Sequence, residues 1–121
     1  KAQQIVQSVI DAGTPFNVIY AENDDMAKGA VAALDKANIS HGVGKDVIVM
    51  GFDCNKWALE ELLNQNWNYD GQCNPYQASY IEDVIKKLES GEKIDEKTII
   101  MDEKGFDATT ITQDDVDQFG I

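Results

Sequence analysis

Cysteine, histidine and proline are scarce here: the 121 residues include two Cys, one His and two Pro. Cys54 and Cys73 are too few and too far apart for a zinc site, and neither belongs to a CxxC pair. A single pair neither requires nor forbids an oxidising compartment. The one histidine, His41, falls in a loop before a strand, where a solvated side chain is the expectation. No GxSxG, HExxH or GxxxxGK[ST] occurs, which removes the serine-elbow, zinc-peptidase and P-loop chemistries. Gly42-Val43-Gly44 precedes a strand instead of joining strand to helix, so it reads as a turn and not a phosphate cradle. No apolar run approaches the roughly 18 residues of a membrane-spanning helix. Basic residues are outnumbered 10 to 22, for a net charge of −12. That balance repels phosphate backbones, so no nucleic-acid partner is expected. An initiator Met and a secretory apolar stretch are also missing. Lys1-Ala2-Gln3-Gln4 opens inside what reads as a helix, so the chain is expected to be part of something longer.

What is present is enough for a core, with 43% of residues apolar. Ile5, Val6, Val9 and Ile10 make a helical stripe over residues 2–12, with Gly13 as its stop. Phe16 to Ala21 is a short β-branched and aromatic run, a buried strand. Asn23 caps a helix to about Ala37, and Asp24 and Asp25 suit its positive end. Asp46 to Gly51 is a second buried strand, followed by a helix from about Lys56 to Gln65. Tyr69 to Cys73 is a third, weaker strand. Asn74-Pro75 starts a helix to Ser90 that Gly91 ends. Thr98 to Met101 reads as a fourth strand, and Asp114 to Gln118 as a final helical turn. Helices alternating with buried strands give an α/β chain with a parallel sheet and right-handed crossovers. The first two strands are expected to be adjacent and central, and the sheet to be incomplete, with three or four parallel strands. Its open edge favours a partner, such as a homodimer of the chain that exchanges the helix from Pro75.

Ligands of open parallel sheets bind beyond the carboxyl ends of the strands. Those ends carry Glu22-Asn23-Asp24, Phe52-Asp53 and Gln72-Cys73-Asn74. An Asp accepts from two hydroxyls and an Asn both donates and accepts, a set suited to a neutral polyhydroxylated ligand. The competing reading makes the same residues caps of the following helices. Trp57 and Trp67 offer flat apolar faces to a sugar, against ordinary packing as the alternative; Trp57, four residues past Asp53, is the better cleft candidate. Cys54 and Cys73 should lie at neighbouring strand ends. Whether they bond depends on Cβ vectors that sequence does not fix. Adjacent acid pairs such as Asp24/Asp25 and Asp114/Asp115 do not face each other on a helix and read as surface charge.

Three blocks carry a resemblance: Asn23-Asp24-Asp25-Met26-Ala27-Lys28-Gly29-Ala30, Gly44-Lys45-Asp46-Val47-Ile48-Val49-Met50-Gly51-Phe52-Asp53, and Cys73-Asn74-Pro75. In this order they resemble the C-terminal part of periplasmic sugar-binding proteins of the ribose/galactose class, the receptors of ABC-type importers. The Cys-Asn-Pro form is similar to the galactofuranose branch. The resemblance covers about residues 2–101. It implies a three-layer αβα arrangement within a periplasmic-binding-protein-like type I fold, two lobes closing on a monosaccharide. Residues 1–74 would belong to the C-terminal lobe, and 75–121 to a crossover helix, a hinge or first-lobe strand and a tail. It implies sugar contacts at Asn23, Asp53 and Cys73, where relatives often place Gln or Asn at the third position. It further implies no enzymatic activity, no cofactor, no metal, a membrane permease as partner, and a periplasmic or extracellular location, with or without a lipid anchor. The rival is the effector domain of a lactose-repressor-type regulator, which shares the fold.

Overall fold

A computed structural model describes residues 1–95 and 97–121. The elements run α1 (Ala2–Asp11), β1 (Val18–Tyr20), α2 (Asp24–Lys36), β2 (Ile48–Asp53), α3 (Lys56–Leu63), β3 (Tyr69–Gln72), α4 (Ala78–Glu89), β4 (Gly105–Asp107) and α5 (Gln113–Phe119). They fall into two compact units, one of residues 1–73 with 104–121 and one of residues 74–103. Residues 104–121 return to the first unit.

In the first unit the sheet order is β1-β2-β3-β4. β1, β2 and β3 are parallel, as their helical connections require. β4 runs antiparallel to β3. The chain is thus α/β with a mostly parallel sheet. β1 and β2 are neighbours as expected, yet β1 is an edge strand and not central. Burial alternates along β1, the first four residues of β2 and β4, as a pleated sheet with one covered face demands. Val49, Gly51, Asp70 and Phe106 point inward and are buried. Val49 and Phe106 meet Ala27 and Leu34 of α2, Ala58, Leu59 and Leu62 of α3, and Val116 of α5 in one core cluster. Val18, Tyr20 and Ile48 point the other way and stay exposed.

The helix ends are chemically specified. Asn23 caps α2 by accepting the Met26 N–H at 2.9 Å. Thr112 and Asp115 form a reciprocal capping box on α5, which lengthens the expected single turn to seven residues. Past α1, Gly13 takes the left-handed φ of 65° that favours glycine.

In the second unit, Asn74 Oδ1 accepts the Tyr76 N–H at 2.8 Å, a local turn ahead of α4. α4 buries none of its residues. Thr98–Met101, expected as a strand, is not one, and Ile99 and Ile100 are exposed. An apolar run becomes a strand only where a neighbour accepts its backbone hydrogen bonds; the partner of β3 is β4 instead.

Candidate functional site

β1, β2 and β3 point the same way, so their carboxyl ends share one edge of the sheet. The pairing of β1 with β2 continues past Tyr20, because Ala21 N–H donates to the Met50 carbonyl at 3.0 Å. Asn23 follows two residues later. Its Oδ1 is spent on the Met26 N–H, which leaves the amide Nδ2 to donate outward. Asp53 ends β2 opposite Gln72 of β3, and Cys73 comes next along that strand. Cys73 is exposed, while Asn23 and Asp53 are half-buried. The three expected contacts therefore leave three consecutive strands on the same side. The cap reading of Asn23 is correct, and capping uses only its oxygen.

The end of β2 is strained. Asp53 and Cys54 both have positive φ, 124° and 61°, a conformation non-glycine residues adopt only where their surroundings enforce it. What enforces it is Asp24. Its Oδ2 accepts from the Asn55 backbone N–H at 2.9 Å and from Asn55 Nδ2 at 3.1 Å, which ties the start of α2 to the loop after β2. Asp24 and Asp70 are fully buried. Burial raises the pKa of Asp24, against the pull of its hydrogen bonds. Burial, then the Asp24 charge, push Asp70 up to about 8. Burial and the charge of Asp25 raise Asp53 as well.

Sequence reasoning missed this buried pair. Asp24 passed as a favourable acid at a helix N-terminus, and Asp70 lay unremarked in a weak strand. The available signal was Gly51. A Cβ there would sit 2.5 Å from Asp24 Oδ1 and 3.0 Å from Trp67 Cζ3, so the glycine leaves room for a buried carboxyl.

Other candidates lie elsewhere. Trp57 packs edge-on against Trp67 at 5.8 Å, with Lys28 Nζ 4.4 Å from the Trp57 ring centre. Both indoles line a groove of about 410 Å³ that also contains His41, away from the strand ends. Trp57 thus packs between Trp67 and Lys28. His41 is not solvated: its side chain is 13% exposed. Its ring nitrogens lie 2.9 Å from the Asn66 carbonyl and 3.0 Å from Asp35 Oδ1, and these two acceptors draw it out of solvent. Cys54 is buried and Cys73 exposed, and both are free thiols.

A family model described as periplasmic binding protein domain matches residues 1–93. The chain is 33% identical over 92 residues to the fructose import binding protein FruE of Bifidobacterium longum, covering 76% of this chain and 27% of that protein. It is 32% identical over 65 residues to the ribose import binding protein RbsB of Bacillus subtilis, covering 54% of this chain and 19% of that one. Among solved structures it is similar to a Mycobacterium smegmatis protein in complex with β-D-fucofuranose. That match has a TM-score of 0.75 and 26% identity, and covers 89% of this chain and 34% of the other. The chain thus spans less than a third of either curated relative.

Proposed function

This chain belongs to the periplasmic binding protein domain family, and from that premise we propose that it forms one wall of a monosaccharide site in an extracytoplasmic receptor of an ABC-type importer. The supporting observation is the departure of Asn23, Asp53 and Cys73 from three neighbouring parallel strands on one side of the sheet. Asp53 accepts hydroxyl hydrogens, and the free Nδ2 of Asn23 donates to a ring or hydroxyl oxygen. Residues 22–25, 53–55 and 72–74 contain four acids and no cation, which suits a neutral ligand and rejects an anionic one. A thiol at position 73 is a weak donor and acceptor, so the third strand end contributes shape more than hydrogen bonding. The full protein acts by binding and delivery, with a membrane permease as recipient. It lies in the periplasm or outside the cell, free or lipid-anchored. The sugars of its relatives, ribose, fructose and a furanose form of fucose, define the first panel to try.

The test is calorimetry on the full-length protein with D-ribose, D-fructose and D-fucose, in wild type, Asp53→Ala and Asn23→Ser. Serine keeps the helix cap, so the second variant separates sugar contact from folding. Charge-assisted hydrogen bonds are worth about 1.5–3 kcal/mol, so Asp53→Ala should weaken binding about tenfold to a hundredfold. Unchanged affinity in Asp53→Ala would sink the assignment.

A further inference from the structure

We propose that Asp24 and Asp70 hold one proton between them and position the candidate sugar contacts, so that removing this proton weakens sugar binding. The proposal rests on the sugar-binding reading and adds a pH response to the same site.

The geometry comes first. Asp70 and Gly51 are direct partners across β3 and β2, and Asp24 Oδ1 occupies the space a Gly51 side chain would take. The two carboxyls therefore meet on the inward face of the sheet, near enough that the Asp24 charge raises the pKa of Asp70. Both residues are fully buried. Asp24 Oδ2 has its two Asn55 donors, but Asp24 Oδ1 and Asp70 Oδ2 have no donor. The remaining oxygen, Asp70 Oδ1, faces the Cys54 thiol at 3.9 Å, a long and weak contact. Buried acceptors without donors are costly, and two buried carboxylates side by side cannot both ionise cheaply. One proton between them removes both costs.

Among the described residues, no positive charge acts on the pair instead. The charged or titratable groups acting on the pair are Asp53 and Cys54 at the end of β2, with Asp25 of α2 acting on Asp53. All are acidic. Asn55 supplies only neutral donors, the Cys54 backbone N–H draws Asp70 slightly toward its charged form, and β4 presents Phe106 opposite Asp70. Burial, with Asp24 beside it, holds Asp70 at about 8, so the pair keeps its proton through neutral pH.

The pair is wired to every candidate contact. Asp24 directly follows Asn23. Through Asn55 it holds the positive-φ turn at Asp53 and Cys54. Asp70 lies three residues before Cys73 on β3. When the proton leaves, the two carboxylates repel, and what gives way is the set of loops that carries Asn23 and Asp53. Asp24 and Asp70 are positioning residues and do not touch the ligand in this scheme.

The sign follows from proton binding. The unfolded chain releases these protons near pH 4, whereas the folded pair holds one to about pH 8. Folding therefore takes up a proton in that window, and stability falls as pH rises from about 4 to about 8, then levels off. Binding that requires the closed pair weakens through the upper part of the range for the same reason.

The experiment has two arms. In the first, carboxyl carbon-13 shifts of this chain, without sugar, are followed from pH 5 to 10 in wild type, Asp70→Asn and Asp24→Asn. An amide donates as a protonated acid does, so both variants should fold, and each removes one partner. We expect one wild-type carboxyl to titrate well above the carboxylate range and to lose that titration in each variant. In the second arm, the full-length protein binds the tightest of D-ribose, D-fructose and D-fucose at pH 6 and pH 9.5. Wild-type affinity should fall by about tenfold or more, and in Asp70→Asn by no more than about twofold. Equal pH dependence in wild type and Asp70→Asn, or carboxyls that all titrate near 4, would overturn the proposal. Absence of binding by all three sugars at pH 6 would overturn the sugar reading and the binding half of the proposal, while the first arm still decides the shared proton.

Discussion

Replacing Gly51 by alanine adds one methyl group at the most crowded point of the sheet. The new Cβ would lie 2.5 Å from Asp24 Oδ1 and 3.0 Å from Trp67 Cζ3. Comfortable contact begins near 3.5 Å, so the carboxyl oxygen must retreat by about 1 Å. Asp24 cannot do this freely, because its other oxygen is fixed by Asn55 N–H and Nδ2 at 2.9 and 3.1 Å. Overpacking of this kind costs about 1–3 kcal/mol, and a weakened hydrogen bond to a buried carboxyl adds about 1.5–3 kcal/mol. Against this stand about 0.8 kcal/mol from burying the methyl and about 0.4–1 kcal/mol from a stiffer unfolded chain. The net expectation is a loss of about 1–5 kcal/mol, read by urea unfolding under far-UV circular dichroism. Gly13→Ala is the control. No atom lies within 4 Å of its Cβ, so only the positive φ of 65° is penalised, at about 1–2 kcal/mol. A Gly51→Ala cost below about 0.5 kcal/mol with unchanged m would refute the placement of Asp24 over the glycine.

Two further outcomes follow from the fold. Val116→Ala, at a fully buried position of α5, should cost about 1–3 kcal/mol through lost burial and a small cavity; a silent variant in urea unfolding would mean that residues 104–121 are detached from the first unit. Native protein treated with iodoacetamide should lose one thiol quickly, that of exposed Cys73. Cys54 should react only after denaturation, since burial, with Asp70 and Asp24 beside it, pushes its thiol pKa up; equal rates at both positions would contradict its burial.

What could be read from the sequence is what local chemistry decides. Phe16–Ala21 and Asp46–Gly51 are dense in β-branched and aromatic residues; the first contains β1 and the second overlaps β2, which runs on to Asp53. Asn23 caps and Gly13 ends a helix because each does so through its own backbone neighbourhood. Failures begin where a distant partner decides. Thr98–Met101 looks more like a strand than Gly105–Asp107 does. Yet Phe106 finds Asp70 across the ladder and stacks at 5.4 Å on Phe119, whereas Ile100 is 87% exposed. His41 was misjudged for the same reason: its partners Asp35 and Asn66 lie 6 and 25 residues away.

Asp24 shows why part of the site escaped. By sequence it belongs to the first turn of a helix, where a negative charge gains about 0.3–1 kcal/mol from the dipole. That gain exists whether or not the residue is buried, so it says nothing about what else the side chain does. In the fold the cap is Asn23, and Asp24 turns its oxygens away from its own helix, to Asn55 and toward Asp70. Hydrogen bonds to a buried carboxyl are worth about 1.5–3 kcal/mol, more than the dipole offers, so the longer-range partners decide its position. Asn55 can reach Asp24 only because β1 and β2 are neighbours, and Asp70 only because Gly51 has no side chain. Glycine at 51 was legible as a residue of a strand; its purpose required knowing which carboxyl would lie above it.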